Sequence, residues 1–273
     1  MQQLNVTPMP LIFSQKRVVL SFSPKSACSH AIIWFLLKEN LLPAANYFSH
    51  WPHDFRNKVY YNSQVYKQRK QAFAKADPNN WTLLKVTRDP AKRLISQFRH
   101  CVRYNVIDTQ IQNRAGISMS KDGLSFSDFV KVLKKIPRER PSTSDPHVCA
   151  QFQPVWTLPF GRIITINVDD CEVNDVLNLV EKELDMSVTD FETQGTFARI
   201  KKIHYAKKEP VVVDAPAEGW ENFKLTRQAI KDDEYFPKKE LLPHAQKVAA
   251  KLFPNDSTQT ACSDSEGTIF PRP

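Results

Sequence analysis

The chain is predicted to be an α/β protein, a parallel β-sheet flanked by helices. Three observations carry that expectation. Residues 18–22 (Val-Val-Leu-Ser-Phe) form a short apolar run that stops at Ser23-Pro24, and an apolar-rich segment of helical character, 31–37, follows. Residues 83–86 form a second apolar stretch, which leads into a helix opened by Pro90. Residues 163–168 form a third, with an amphipathic helix over 173–184 behind it. Strands that alternate with helices favour parallel pairing, because parallel neighbours need a crossover connection. Ligands of such sheets sit at the carboxyl ends of the strands.

The elements follow in order. The first strand is expected over 16–22 and the first helix over 29–39. Residues 60–76, rich in Gln, Lys and Tyr, read as a polar helix reaching toward Pro78. Lys85 interrupts the strand at 83–86. Behind that strand, Asp89 suits an N-cap and Pro90 the first helical turn, where a missing N–H costs nothing. Leu94, Ile95 and Phe98 at helical spacing supply the inward face. Ser125-Phe-Ser-Asp128 resembles a capping box with Asp in place of Glu, opening a helix whose Phe126, Phe129, Val130 and Leu133 face inward. A last helix is expected over 241–253. The proline- and charge-rich stretch 136–146 reads as a mobile loop, and the polar tail 255–273 as disordered. Residues 105–122 and 190–220 carry no motif.

Composition bounds the partners. The 273 residues suffice for one domain with a substantial core. A formal charge of +9 suits anionic ligands. Nucleic acid is not expected, since there is no zinc-finger spacing, no RNP-like aromatic motif and no long basic tract. The cysteines at 28, 101, 149, 171 and 262 lack C-x-x-C spacing, so neither a structural zinc site nor a disulfide framework is expected. No run of about eighteen apolar residues occurs, so no transmembrane segment is expected.

The junction after the first strand, Ser23-Pro24-Lys25-Ser26-Ala27-Cys28-Ser29-His30, has the form of an anion site. A strand, a tight loop and a helix start bring free amides and the helix dipole together, and Lys25 adds a full charge. The chain's six glycines all lie elsewhere, at 116, 123, 161, 195, 219 and 267. Neither G-x-x-x-x-G-K-[ST] nor G-x-G-x-x-G can be written, which removes the usual ATP and dinucleotide readings. A second cluster stands about sixty residues on, with Arg88 at a strand end and Arg93, Ser96 and Arg99 on the helix behind it. A guanidinium fork with a hydroxyl suits a phosphate dianion. A solvated basic face is the alternative for these residues.

Pro24-Lys25-x-Ala27-Cys28-Ser29 resembles the 5′-phosphosulfate loop of sulfotransferases that use 3′-phosphoadenosine-5′-phosphosulfate (PAPS), most closely the carbohydrate sulfotransferases. The run Arg88-Asp89-Pro90-x-x-Arg93-Leu94-x-Ser96-x-Phe98 resembles the 3′-phosphate motif of the same family. The resemblance implies a P-loop-like phosphosulfate loop in a sulfotransferase domain over 1–254, with its nucleotide-binding core at about 16–104 and acceptor part at about 105–254. It implies that Lys25, Ser26, Ala27, Cys28 and Ser29 hold the 5′-phosphosulfate, that Arg88, Arg93 and Ser96 hold the 3′-phosphate, and that His30 faces the nucleotide or packs and caps the loop. The product would be adenosine 3′,5′-bisphosphate, with no metal required.

A third segment, His147 with Gln151 four residues on, matches a histidine-to-glutamine pattern of those relatives, although Val148 replaces the usual aromatic. His147 is the first choice for the base that takes the acceptor proton, and the resemblance implies that Lys25 neutralises charge building on the bridging oxygen as the bisphosphate leaves. His53 and Asp54 are the rivals of His147. Trp51, His53 and Gln151 are the expected acceptor contacts, with Trp51 as a stacking surface for a sugar. The acceptor hydroxyl is assigned to a carbohydrate by analogy, leaving lipid, peptide tyrosine and small phenols open. The basic run 201–208 is a further candidate to close over nucleotide or acceptor. A phosphoryl-transfer enzyme of related fold and a non-catalytic nucleotide binder are the alternatives. Golgi relatives carry a membrane anchor that is not seen here, so a cytoplasmic, bacterial enzyme is expected, with an anchor-trimmed Golgi-type chain as the other reading. Oligomeric state is not legible.

Overall fold

A computed structural model describes residues 4, 8–137, 144–204, 216–228, 236–256 and 263–264. Two compact units make up the chain. The first comprises Met1–Arg88, Gln151–Tyr205 and Thr260–Pro273, and the second Asp89–Ala150 and Ala206–Gln259.

The first unit holds one five-stranded sheet in the order β1-β2-β3-β4-β5. Its middle is the parallel trio β2 (Val18–Phe22), β3 (Thr82–Thr87) and β4 (Arg162–Asn167). These are the three apolar stretches read from the sequence. The edges differ from the all-parallel expectation. β1 (Leu11–Phe13) pairs antiparallel with β2 through a tight turn at Ser14–Arg17, and β5 (Ser263–Asp264) pairs antiparallel with β4. Two residues of the tail expected to lack structure thus form a strand.

Strand alternation divides the sheet's residues between two faces. Val18, Leu20, Phe22, Leu84, Val86, Ile164 and Ile166 share a core with α1 (Cys28–Lys38) and α8 (Val173–Glu183). Glu181 of α8 is 0 % exposed, yet fully engaged. It accepts from Trp34 Nε1 (2.7 Å), pairs with Lys38 Nζ (2.7 Å) and accepts from the Thr189 amide and hydroxyl (2.6 Å each). On the other face, Val19, Leu83 and Ile163 pack with Phe73, Trp81, Trp156 and Phe160. One step along, the same face turns polar, with Ser21, Lys85 and Thr165 in register across three strands. Trp156 Nε1 donates to Ser21 Oγ (2.8 Å), and Lys85 Nζ lies 5.2 Å over the Trp156 ring. Burial pushes the Lys85 ammonium down to about 8. The lysine that interrupts the apolar run is therefore part of a polar row at the strands' carboxyl half.

Shorter helices complete this unit. α2 (Leu42–Phe48) and α3 (Pro52–Phe55) follow α1, and a π-helical turn at Arg56–Tyr60 precedes α4 (Gln64–Lys75). Ser63 Oγ caps α4 by accepting from Tyr66 N (3.1 Å), so the expected polar helix begins four residues later than read. α9 (Gly195–His204) lies in a stretch without a motif.

The second unit is helical around α5 (Pro90–Arg103), with α6 (Asp108–Ala115), α7 (Phe126–Lys134) and α10 (Lys238–Leu252). Both predicted caps form. Asp89 Oδ1 accepts from Lys92 N (2.8 Å), and Ser125 Oγ accepts from Asp128 N (3.1 Å). Leu94, Ile95 and Phe98 join Phe126, Phe129, Leu133, Leu241 and Ala245 in this unit's core. Cys28, Cys101 and Cys149 are free thiols, whereas Cys171 is disulfide-bonded, which corrects the expectation of a chain without disulfides at that position. Among the described residues no helix is long and apolar enough to cross a membrane, and no cluster of His, Cys, Asp or Glu could hold a metal ion.

Candidate active site

In the first unit the loop between β2 and α1 takes a conformation that non-glycine residues seldom adopt. Lys25 has φ +71° and Ala27 has φ +48°, both left-handed. Such residues cost about 1–2 kcal/mol each and persist where the surroundings hold them. Ala27 is the residue before α1, and the first intrahelical bond runs from Ala31 N to Ala27 O (3.1 Å). The amides of a first helical turn have no partner within their helix, and with the dipole they favour an anion. Left-handed residues in a tight loop also turn successive backbone N–H groups toward one concavity.

Arg88, at the end of β3, secures that loop. Its Nη1 donates to the Lys25 carbonyl (3.1 Å), and its Nε lies 3.4 Å from Asp169 Oδ2. Gln151, 1 % exposed, clamps the Arg88 backbone on both sides. Its Oε1 accepts from Arg88 N (3.0 Å) and its Nε2 donates to Arg88 O (2.9 Å). Ser26 is buried, with its hydroxyl 2.9 Å from Ser23 Oγ and 3.5 Å from Gln151 Oε1, so it braces the loop from beneath. Lys25, Ser26, Arg88 and Gln151 are thus brought together from three distant places in the chain.

The loop's other end meets α3. Ser29 Oγ is 2.8 Å from His53 Nε2, and Cys28 Sγ is 4.0 Å from the same nitrogen. The His53 ring stacks on Trp51 with centroids 4.9 Å apart and planes 13° from parallel. Residues expected at the nucleotide and residues expected at the acceptor are therefore neighbours. His30 turns away into an aromatic cluster, 5.5 Å from the Phe191 ring and 4.6 Å from Phe197. Burial pulls its imidazole down to about 4, against a hydrogen bond with Asn174.

The remaining candidates lie in the second unit. Arg93 is 0 % exposed and fully used. Its Nη1 is 3.4 Å from Asp256 Oδ2, its Nη2 donates to Cys149 O (2.6 Å), and its guanidinium lies 5.6 Å over the Phe253 ring. Ser96 is half-buried on α5. Asp145 Oδ1 accepts from the His147 amide (2.8 Å) and lies 2.7 Å from His147 Nδ1. A carboxylate can only accept, so Nδ1 carries the proton and Nε2 is the basic nitrogen. His147 also stacks on His100 with centroids 4.1 Å apart. That orientation of an imidazole by a carboxylate is what a general base needs. Part of the basic run 201–208, and most of the loop ahead of Ser144, lies outside the described residues.

Asp169, Asp145 and His100 were not singled out from the sequence. Asp145 had a readable signal, because an Asp two residues before a His can accept from its amide in an Asx turn. Asp169 had none, since its tie to Arg88 spans 81 residues of chain.

In the first unit, the left-handed loop at the head of α1 and the arginine that secures it have the form of an anion-binding site. A family model described as sulfotransferase family matches residues 14–155, just over half of the chain, and the chain belongs to that family. Sulfuryl transfer is therefore the general chemistry of this protein. No curated protein and no solved structure matches it.

Proposed function

We propose that this protein moves a sulfuryl group from PAPS to an acceptor hydroxyl, with a carbohydrate or glycoconjugate as acceptor. The observation that carries the reading is the left-handed Lys25 and Ala27 at the head of α1, with Arg88 bonded to the Lys25 carbonyl. A loop held in this strained form without a glycine suits a tetrahedral anion, and Lys25 adds the charge that a phosphosulfate demands.

PAPS supplies an activated sulfuryl group. Lys25 and the first-turn amides of α1 take the phosphosulfate oxygens, with Ser29 as a hydroxyl donor. Arg88 takes the 3′-phosphate, and the family resemblance assigns Ser96 to the same phosphate. Arg93 and His30 are not carried forward, because Arg93 is 0 % exposed and the His30 ring packs between Phe191 and Phe197. His147 Nε2 takes the acceptor proton as the acceptor oxygen forms its bond to sulfur. The bond between sulfur and the bridging oxygen breaks, and Lys25 neutralises the charge left on that oxygen of adenosine 3′,5′-bisphosphate. Positioning and charge stabilisation are the main contributions, as in phosphoryl transfer.

A second assignment of the base rests on one contact. His53 Nε2 lies 2.8 Å from Ser29 Oγ at the loop itself, so His53 is the alternative group to receive the proton.

The test follows ³⁵S from labelled PAPS into a panel of glycan, lipid and phenolic acceptors. Label should enter a glycan fraction, fall about a hundredfold or more with Lys25→Ala, and fall similarly with either His147→Ala or His53→Ala, which identifies the base. Label entering no fraction while PAPS is bound would leave the non-catalytic reading. Magnesium-dependent ATP turnover would replace the proposal with phosphoryl transfer.

A further inference from the structure

Arg56, in the first unit, is a buried cation that the chemistry above does not use. It follows α3 and opens the π-helical turn Arg56–Tyr60, which is closed by the bond from Tyr61 N to Arg56 O (3.0 Å). Single π-helical turns are rare and frequently stand at functional sites. The residue is 6 % exposed, and its guanidinium lies 5.6 Å over the Phe22 ring and 5.5 Å over the Tyr61 ring. Its Nε and Nη2 both donate to Asn57 Oδ1 (3.0 and 2.9 Å). Among the described residues no carboxylate is within ion-pair distance of it. Asp54, two residues before, accepts from Ser49 Oγ and pairs with Lys58, whereas Arg69 of α4 has Glu39 as its counter-charge.

A buried charge without a counter-charge lowers stability. Asn57 occupies two of the five guanidinium N–H groups. Nη1 has no acceptor among the described residues, yet it is not sealed from solvent. Such a cation is complete only when an anion from outside the chain reaches it. Its place selects the anion. Phe22 is the last residue of β2, so the ring under the guanidinium stands directly before the loop 23–27. His53, three residues before Arg56 and so its neighbour on the helical surface, meets the far end of that loop through Ser29 Oγ (2.8 Å). Arg56 therefore flanks the loop from the α3 side, while Arg88 ties it from β3. Arg88 is assigned to the 3′-phosphate, which leaves the sulfuryl end of the donor for Arg56. The planar guanidinium edge matches two oxygens of such a group.

We propose that Arg56 binds the sulfuryl oxygens of the donor, and so lets the site tell PAPS from the product adenosine 3′,5′-bisphosphate, which lacks that group. The inference rests on the sulfotransferase reading, and it adds to that site a residue that selects donor over product.

Calorimetry on the full chain, with no acceptor present, tests it. The probes are PAPS, adenosine 3′,5′-bisphosphate and inorganic sulfate. Wild type should bind PAPS about tenfold or more tighter than the bisphosphate, the effect of charged hydrogen bonds to one added group. Arg56→Met keeps an apolar stem against Phe22 and should abolish that preference. Arg56→Lys keeps the charge but not the fork, and should keep part of it. A general disturbance of the loop would weaken both nucleotides alike and leave their ratio unchanged, so the ratio separates contact with the ligand from packing. If Arg56→Met does not fold, Arg56→Lys carries the test through the same ratio. Equal binding of PAPS and bisphosphate by wild type would overturn the proposal, as would a wild-type ratio in both variants, and either result leaves the transfer reading standing. If folded wild type binds neither nucleotide, the transfer reading fails and sulfate decides. Sulfate binding that Arg56→Met abolishes upholds an oxyanion site at Arg56, and sulfate binding that survives it, or none at all, overturns that site too.

Discussion

Gln151→Ala is the perturbation that most directly probes how the loop is held. The side chain is buried and makes two bonds to one backbone unit, accepting from Arg88 N at 3.0 Å and donating to Arg88 O at 2.9 Å. Each is worth about 1 kcal/mol net, and stranding the Arg88 amide and carbonyl in a half-buried setting adds desolvation, for a total of about 2–4 kcal/mol. Arg88 also holds the Lys25 carbonyl, so the loop should lose its shape along with the clamp. Denaturant melts should show the loss in the midpoint at constant slope, and calorimetry should show adenosine 3′,5′-bisphosphate binding at least tenfold weaker. Gln151→Glu keeps the acceptor for Arg88 N but loses the donor to Arg88 O. It should cost at least as much stability as alanine, because a buried carboxylate oxygen then faces the Arg88 carbonyl oxygen, and it should weaken the bisphosphate more, because a carboxylate beside the anion site repels the ligand. A Gln151→Ala protein with wild-type stability and wild-type affinity would mean that Gln151 does not hold the loop.

Further outcomes follow from the same geometry. Glu181→Ala should destabilise the first unit by about 3–5 kcal/mol in denaturant melts, because it leaves the Lys38 ammonium facing a buried site without its counter-charge. His30 is held at about 4 by burial, below its ordinary 6.5. The unfolded chain therefore binds the extra proton first as pH falls, so stability should drop between pH 6.5 and pH 4 by up to about 3 kcal/mol and level off below. His30→Leu should flatten that part of the stability profile. Ala27→Val places a β-branched residue at φ +48° and should cost about 2 kcal/mol or more in a melt, with loss of bisphosphate binding. Alkylation of the denatured, unreduced chain followed by peptide mass mapping should label Cys28, Cys101 and Cys149 and leave Cys171 unlabelled. Labelled Cys171 would mean that its bond does not form in solution, as in a reducing compartment.

The parts of the fold legible in the sequence were those written in local pattern. Three apolar runs became the parallel core strands, and Asp89-Pro90 and Ser125-x-x-Asp128 became helix caps. β1 was missed because Leu11–Phe13 is only three residues between a proline and a turn, too short to show alternation. α6 and α9 lie in stretches whose apolar residues are too sparse to mark a stripe. Lys85 looked like a flaw in a strand, and its reason appears only when Ser21 and Thr165 fall into register beside it. The anion loop was readable from its residue types, but its left-handed backbone was not, because no glycine announced it. Contacts such as Ser29 with His53 and Arg88 with Asp169 are set by packing across distant segments, and no spacing rule encodes them.

Calorimetric titration of the wild-type chain with adenosine 3′,5′-bisphosphate, beside AMP and ADP, tests the central claim most directly. Arg88→Ala and Lys25→Ala are measured in parallel. Binding should be micromolar, require the 3′-phosphate and weaken by about 1.5–3 kcal/mol when Arg88 loses its charged hydrogen bonds. Equal affinity for the bisphosphate and AMP in a folded sample would contradict it.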